Sequence, residues 1–366
     1  MRTFADPAVS PDTERVTTPV GPVLQLAATT RLSNADPTMY LECRQRHALS
    51  YLRAVTPAAD LLTYGALGRT ADYHRHCAVR QQPRWTMQFD LCGAEDLAAL
   101  GYEVHWVGHA GLDFLPRLPE LVAAGQPVTF YAPAEDVGYW ADLMRRRGRA
   151  DGGGRNAHGV LVCGVSDDGE WLVTPDTTDE GPDYRPEYLA VADVRAAAGA
   201  DPEHWFVDTL SLRRARDPDP RVFAERYRQV LVELEDGFEV YEALPHLLLS
   251  DRAKRLNLDQ QVASLDLLRI LAGTRTGFAR FLRHTSHSPE VVTGYRRLAE
   301  LLSQLLGRAM AYLAGEGPED LGPWRRDLRT LRTAEMSGLR RLKEELAAGE
   351  VTVTVPGERD RFAHHH

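Results

Sequence analysis

The segment "NAHGVLVCGVSDDGEWLVTPD", residues 156–176, carries two apolar runs on either side of a turn signal. Asp167-Asp168-Gly169 supplies the residue types that accept positive φ angles in tight hairpin turns. The segment therefore predicts an antiparallel hairpin that pairs about residue 167. In that register His158, at the start of the first strand, faces Asp176, at the end of the second.

Flanking segments add strands and helices in alternation. The stretch "FLPRLPELVAAGQPVTFYAPA", residues 114–134, predicts a helix that ends at Gly125 and a strand that follows it. Next, "YLAVADVRAAAG" predicts a short strand that leads into a helix. Further strands are predicted at "PVLQL", "YEVHWVG" and "HWFVDTLSL", which are rich in β-favouring residues. These signals indicate an α+β domain built on an antiparallel sheet.

The character of the chain changes at about residue 217. Leu, Ala and Arg recur there at helical spacing, which predicts about four or five long helices with breaks near 286–289 and 315–318. We therefore divide the chain into four parts. They are an extended arm at 1–36, an α+β domain at 37–216, an all-α domain at 217–350 and a tail at 351–366. The tail ends in three histidines, typical of a purification tag, which we leave out of metal arguments.

The composition is typical of a soluble globular protein, with 43% hydrophobic and 26% charged residues. The sequence contains no run of about eighteen apolar residues, so no membrane span is predicted. Residues 1–22 lack the basic and apolar segments of a secretory signal. The net charge of -9 argues against general binding of nucleic acid. The four cysteines have no disulfide-framework spacing, so we expect reduced thiols in a cytoplasmic protein.

A second segment, "MYLECRQRHALSYL" at 39–52, places Cys43 near the predicted start of a helix. The free backbone N–H groups of a helix N-terminus favour a thiolate and, later, an oxyanion. With His158 as base and Asp176 as its orienting carboxylate, Cys43 would complete a nucleophilic triad. A cysteine is more often a small buried residue, and for the isolated segment that alternative stays open.

The order of these segments resembles that of the butirosin acyltransferase family and, more broadly, of papain-like cysteine enzymes. The resemblance covers roughly residues 38–215. The matching segments are "ECRQRHALSYL", "TPAADLLTYGALGR", "LPELVAAGQPVTFYA", "HGVLVCGVSDDGEWLVTPDTT" and "YLAVADVRAA". The resemblance implies a papain-like domain, in which a central helix packs on an antiparallel sheet, and a helical C-terminal domain.

The resemblance also implies an activity. Cys43 would accept an acyl group from a thioester on the phosphopantetheine arm of an acyl carrier protein, and an amine would receive it in natural-product biosynthesis. No bound cofactor, metal, nucleic acid or membrane is implied. Papain-like proteases carry a Gln six residues before the nucleophile, where this chain has Pro37. Asn34 and Tyr40 are therefore the candidates for the second oxyanion donor, beside the N–H of Cys43.

Other functions remain open on the sequence alone. The same triad could serve a thioesterase or a cyclase that releases a carrier-bound chain, and an inactive member of the family could simply bind an intermediate. The segment "HRHC" at 74–77 offers metal donors but lacks a second ligand pair at zinc spacing. The basic segment "RRRGR" at 145–149 is typical of a solvated loop, with docking of a carrier protein as the alternative.

Overall fold

A computed structural model describes residues 13–26, 49, 51–53, 56–80, 93–110, 115–125, 128–146, 157–174, 186–200, 205–248, 258–313, 322–349 and 351–355. These residues form a mixed α+β protein with antiparallel sheets and a helical C-terminal region, so the coarse fold class predicted from the sequence is confirmed. The chain falls into two compact units. The first contains the N-terminal strands, the residues around Tyr51, and Gly101–Asp217; the second contains Pro57–Leu100 and the chain from Pro218 onward.

Nine strands lie in the first unit among the described residues. They form a five-stranded sheet, in the order β1-β2-β6-β7-β8, and a four-stranded sheet, in the order β3-β9-β4-β5. Every pairing in the two sheets is antiparallel. The strands are β1 Thr13–Thr18, β2 Gly21–Leu26, β3 Tyr102–Ala110, β4 Val128–Pro133, β5 Ala157–Val162, β6 Gly164–Ser166, β7 Trp171–Thr174, β8 Glu187–Ala190 and β9 Phe206–Arg214.

Ten α-helices are described, three of them in the first unit and seven in the second. None of these helices is both long and apolar enough to cross a bilayer. Those of the first unit are α3 Leu118–Ala123, α4 Gly138–Arg146 and α5 Val191–Ala200. Those of the second are α1 Thr70–His74, α2 Ala94–Ala99, α6 Pro220–Glu233, α7 Val240–Leu248, α8 Leu258–Leu282, α9 Pro289–Leu313 and α10 Gly322–Ala348.

The hairpin predicted at 156–176 forms, but its register and its extent differ from the prediction. Its turn lies at Asp167–Gly169, and Gly169 has the positive φ of 74° that a non-glycine residue adopts at a cost. β6 pairs with β7 as Gly164 with Val173, so pairing is centred between residues 168 and 169 instead of on 167. The strand also breaks at Cys163, and β5 lies in the other sheet, paired with β4. The predicted register about residue 167 and the single continuous first strand are therefore wrong, whereas Asp176 lies outside the described residues.

Other local predictions in the first unit are confirmed. Helix α3 is followed by Gly125, whose φ of 71° ends the helix in a left-handed conformation, and β4 begins three residues later. β8 leads directly into α5. The core between the sheets and the helices is apolar and buried. It includes Phe130 and Trp205, whose rings stack with centroids 5.5 Å apart.

The second unit is held together by contacts between its early and late parts. Pro57–Ala66 is a 3-10 helix, and its Thr63 hydroxyl donates to the carbonyl of Gly277 on α8 over 2.7 Å. Tyr64 packs edge-on against Phe223 of α6 and Phe281 of α8. These contacts place Pro57–Leu100 with the C-terminal helices, although the sequence analysis put residues 37–216 in one domain. The predicted domain boundaries stay predictions.

The chain after α10 turns back on the α8–α9 connection. Thr352 and Thr354 bond to the backbone there, with Ser286 N donating to Thr352 O over 3.0 Å and Thr354 N donating to His284 O over 2.7 Å. Val353 forms an antiparallel bridge with Thr285 and is buried. Residues 351–355, assigned to the tail on sequence grounds, are therefore part of the second unit.

Candidate functional site

The predicted site lies mostly outside the described residues. Cys43, Asp176 and both candidate oxyanion donors, Asn34 and Tyr40, are outside them. For His158 the backbone alone is described: it is the second residue of β5 and pairs with Ala132 of β4. The triad geometry therefore stays a prediction, and the structure contributes the scaffold around His158.

That scaffold is rigid because β5 is anchored in an apolar core. Val160 and Val162 follow His158 at alternate positions and are fully buried, as is Phe130 on the neighbouring strand. The adjoining Trp205 stacks on Phe130, and its indole N–H donates to Asp136 over 3.4 Å. Close packing of this kind leaves the backbone of β5 little freedom. A catalytic imidazole on this strand would start from a fixed position.

The end of the predicted nucleophile helix is also anchored in the first unit. Residues 51–53 are helical, and Leu49, Tyr51 and Leu52 are buried. The Tyr51 hydroxyl donates to the carbonyl of Gly125 over 3.1 Å, just before β4 begins. Burial, with a smaller contribution from Tyr102, raises the pKa of Tyr51 well above its ordinary value. The phenol therefore stays protonated and keeps this bond at any physiological pH.

The two described cysteines are structural. Cys163 lies between β5 and β6, is 2% exposed, and its thiol donates to Val173 O over 3.3 Å. Cys77 is fully buried in the π-helical turn Arg75–Val79 that continues α1. Both are free thiols. Because neither is accessible, neither is a competitor to Cys43 for the role of nucleophile.

A polar cluster that the sequence analysis missed joins α6, α10 and the α8–α9 connection. The Tyr227 hydroxyl lies 2.8 Å from Nε2 of His287, whose Nδ1 lies 2.6 Å from a carboxylate oxygen of Glu345. Ser288 donates to the same carboxylate through its backbone N–H and its hydroxyl. With a neutral imidazole protonated on Nδ1, every group in this Tyr-His-Glu cluster is satisfied.

The electrostatics of the Tyr-His-Glu cluster favour that neutral form. Burial lowers the pKa of His287, although the hydrogen bond that its Nδ1 donates to Glu345 opposes the shift. For Glu345, desolvation would raise the pKa, but hydrogen bonds from Ser288 and His287 outweigh it and lower the value. Tyr227 and His287 are 1% and 6% exposed, whereas the Glu345 side chain is 31% exposed, so the phenol and the imidazole are buried behind a partly exposed carboxylate. No spacing in the sequence links the cluster's three members, because they come from three separate elements.

No metal centre is formed by the described residues, since no three His, Cys, Asp or Glu side chains among them converge. His74, His76 and Cys77 of the "HRHC" segment are described, and they form no such group with other residues. No family model matches the chain, and no curated protein matches it. A function for the chain is therefore inferred from its own residues and from the resemblance of its segments.

Proposed function

We propose that the chain is a cysteine-dependent acyltransferase with a papain-like domain at residues 37–216. Cys43 is the nucleophile, His158 the general base and acid, and Asp176 the carboxylate that orients the imidazole. The acyl donor is a thioester on the phosphopantetheine arm of a carrier protein, and the acceptor is an amine. No cofactor takes part in these steps.

The reaction runs in two balanced halves. His158 takes the thiol proton of Cys43, the thiolate attacks the thioester carbonyl, and the donor thiol leaves with the proton returned by His158. The acceptor amine then attacks the Cys43 thioester and loses a proton to His158, and the Cys43 thiolate leaves as the amide forms. Exchange of one thioester for another is nearly balanced in energy, so the amine step carries most of the catalytic demand.

One observation carries the proposal: the bond between Tyr51 and Gly125 anchors the predicted nucleophile helix beside β4. Gly125 lies three residues before β4, the strand that pairs with β5 at His158. Tyr51, eight residues after Cys43 in the sequence, belongs to the same unit as His158. This anchoring supports the triad, whereas the register of the hairpin does not.

Intact-protein mass spectrometry after incubation with short acyl thioesters tests the proposal. We expect a single acyl adduct on the wild type and none on Cys43→Ala. Cys163→Ala is the matched control, because it removes a buried thiol and should keep the adduct. An adduct of equal yield on Cys43→Ala would contradict the assignment of the nucleophile.

The fate of the adduct then separates the proposed activity from its alternatives. Release by added amines, with an amide product and slow release by water alone, is the expected result for a transferase. Fast release by water would instead identify a thioesterase, and release as a cyclised chain would identify a cyclase. Absence of any adduct on the folded wild type would leave a binding protein.

A further inference from the structure

The described part of the second unit contains a groove with an apolar floor, bounded by the α6–α7 connection and by α10. Its volume is about 550 Å³. Leu234, Phe238 and Leu339 form the floor and are buried, whereas Met336 on its rim is 46% exposed. Met336 is one of three exposed large hydrophobic side chains among the described residues.

The groove is preformed, because its far wall is fastened to α10 at both ends. The Lys343 ammonium donates to the carbonyl of Leu234 over 2.7 Å, and Arg332 donates to the carbonyl of Gly237 over 3.1 Å. Phe238, the residue after Gly237, adopts a φ of 56°, a left-handed conformation that a bulky residue seldom takes, with its side chain buried. A surface fixed in this way loses little further entropy when something binds to it.

The open edge of the groove is a single stripe of α10. Met336, Arg340, Glu344 and Ala347 recur at intervals of four, four and three residues, so they share one face of the helix. All four are exposed. Arg340 and Glu344 contact each other at 3.6 Å with side chains 71% and 64% exposed, so both charges are accessible to a second molecule.

The order of the stripe is self-complementary. It is apolar, cationic, anionic and apolar, so its reversal is the same pattern with the charges exchanged. Antiparallel pairing about a twofold axis midway between Arg340 and Glu344 places each charge opposite its counterion on the other copy. The same pairing lays Met336 opposite Ala348 of the second copy, next to Ala347. A surface that matches its own reverse is what an isologous interface requires.

We propose that this groove and the exposed stripe of α10 form an interface between two copies of the chain, which pair antiparallel along α10. The inference rests on the second unit alone and is independent of the proposed catalytic activity. The exposed Met336 side chains supply apolar area, and the two Arg340–Glu344 pairs set the register and orientation.

Charge reversal in solution tests the interface, with sedimentation velocity as the measurement. The wild type is expected to dimerise reversibly with concentration. Arg340→Glu or Glu344→Arg alone sets like charges opposite each other and should weaken the dimer at least about tenfold. An equimolar mixture of the two variants should form a heterodimer, because each then supplies the charge that the other lacks. The double variant R340E/E344R should dimerise like the wild type.

Three outcomes would contradict the proposed interface. A wild type that stays monomeric up to ~100 μM, a weak affinity on the usual scale, would overturn the proposal. So would single variants that dimerise as well as the wild type, or a mixture that forms no heterodimer. Since both substituted side chains are more than half exposed, unchanged circular dichroism is expected for every variant and would confirm that the fold is intact.

Discussion

The Nε atom of Arg275 donates to Oε1 of Glu335 over 2.5 Å, and neither side chain has any exposed surface. The Tyr241 hydroxyl donates to the other carboxylate oxygen, and Nη2 of Arg275 donates to the carbonyl of Gly68 over 3.3 Å. This buried pair links α8 to α10, to α7 and to the turn before α1. The pair stabilises the fold only when both charges are present, because either charge alone would be buried without a counterion.

Arg275→Met should therefore destabilise the protein by about 3–5 kcal/mol, since it leaves Glu335 buried without its counterion. The free energy of unfolding from urea titration measures this loss. The double variant R275M/E335L should recover most of it, because two apolar residues of similar size replace the pair. Arg340→Ala, at an exposed pair, should cost less than about 1 kcal/mol. A similarly small loss for Arg275→Met would show that the buried pair contributes little.

The Tyr-His-Glu cluster predicts a pH dependence of stability. Burial lowers the pKa of His287 below its ordinary value of 6.5, so the unfolded chain binds a proton there more readily than the folded chain. The contribution of His287 is thus complete above that value and is lost as the pH falls toward the lower pKa of the folded state. The loss of stability amounts to about 1.4 kcal/mol for each pH unit by which the pKa of His287 is lower in the folded than in the unfolded chain.

Urea unfolding of the wild type and of His287→Gln between pH 7.5 and 5 isolates this effect, within the roughly neutral-to-acid window where imidazoles titrate. The glutamine cannot titrate, so the wild type should lose more stability than the variant as the pH falls. The groups that face the imidazole are the Glu345 carboxylate from α10 and the Tyr227 phenol from α6. Parallel curves for the two proteins would contradict a lowered pKa at His287.

Gly68 lies close to the Tyr73 hydroxyl, so the cost of adding a side chain at Gly68 should depend on that hydroxyl. A Cβ at Gly68 would clash with the Tyr73 hydroxyl oxygen. Gly68→Ala should therefore destabilise the wild type by about 1–3 kcal/mol through overpacking. In a Tyr73→Phe background the hydroxyl is absent, and the same change should cost clearly less. Thermal unfolding of the four proteins gives the coupling energy, and a coupling near zero would argue against the contact.

The thiols should differ in reactivity. Cys77 and Cys163 are fully or almost fully buried, so iodoacetamide should modify neither in the native protein, and both in urea. If Cys43 is the nucleophile, it should be alkylated in the native state at a rate that rises with pH below the ordinary thiol range. Peptide mapping by mass spectrometry distinguishes the sites. Rapid native modification of Cys163 would contradict its burial, whereas an inert Cys43 would contradict the proposed activity.

Local signals predicted much of the fold. The helix that ends at Gly125, the strand after it, the step from β8 into α5 and the start of α9 at Pro289 all agree with sequence predictions. Each depends on glycine, proline or hydrophobic periodicity within a few residues. The hairpin turn at 167–169 also followed from its Asp-Gly signal.

The candidate site was less predictable, because it depended on register and on long-range packing. The break at Cys163 sends β5 into a different sheet from β7, and no local signal marks that change. Cys43 and Asp176 lie outside the described residues, so their approach to His158 stays a prediction. The Tyr-His-Glu cluster was missed because its members lie 58 and 60 residues apart in the sequence.

The sequence by itself determined the turn at 167–169, the helix end at Gly125, the step from β8 into α5 and which residue types could form a triad. Those properties follow from backbone preferences and apolar periodicity, which act over one or two turns. Only the tertiary structure decided that β5 and β7 belong to different sheets, that Pro57–Ala66 packs on α8, and that Arg275 meets Glu335. These depend on burial shared between distant segments, and their free energy exists only once the segments have come together.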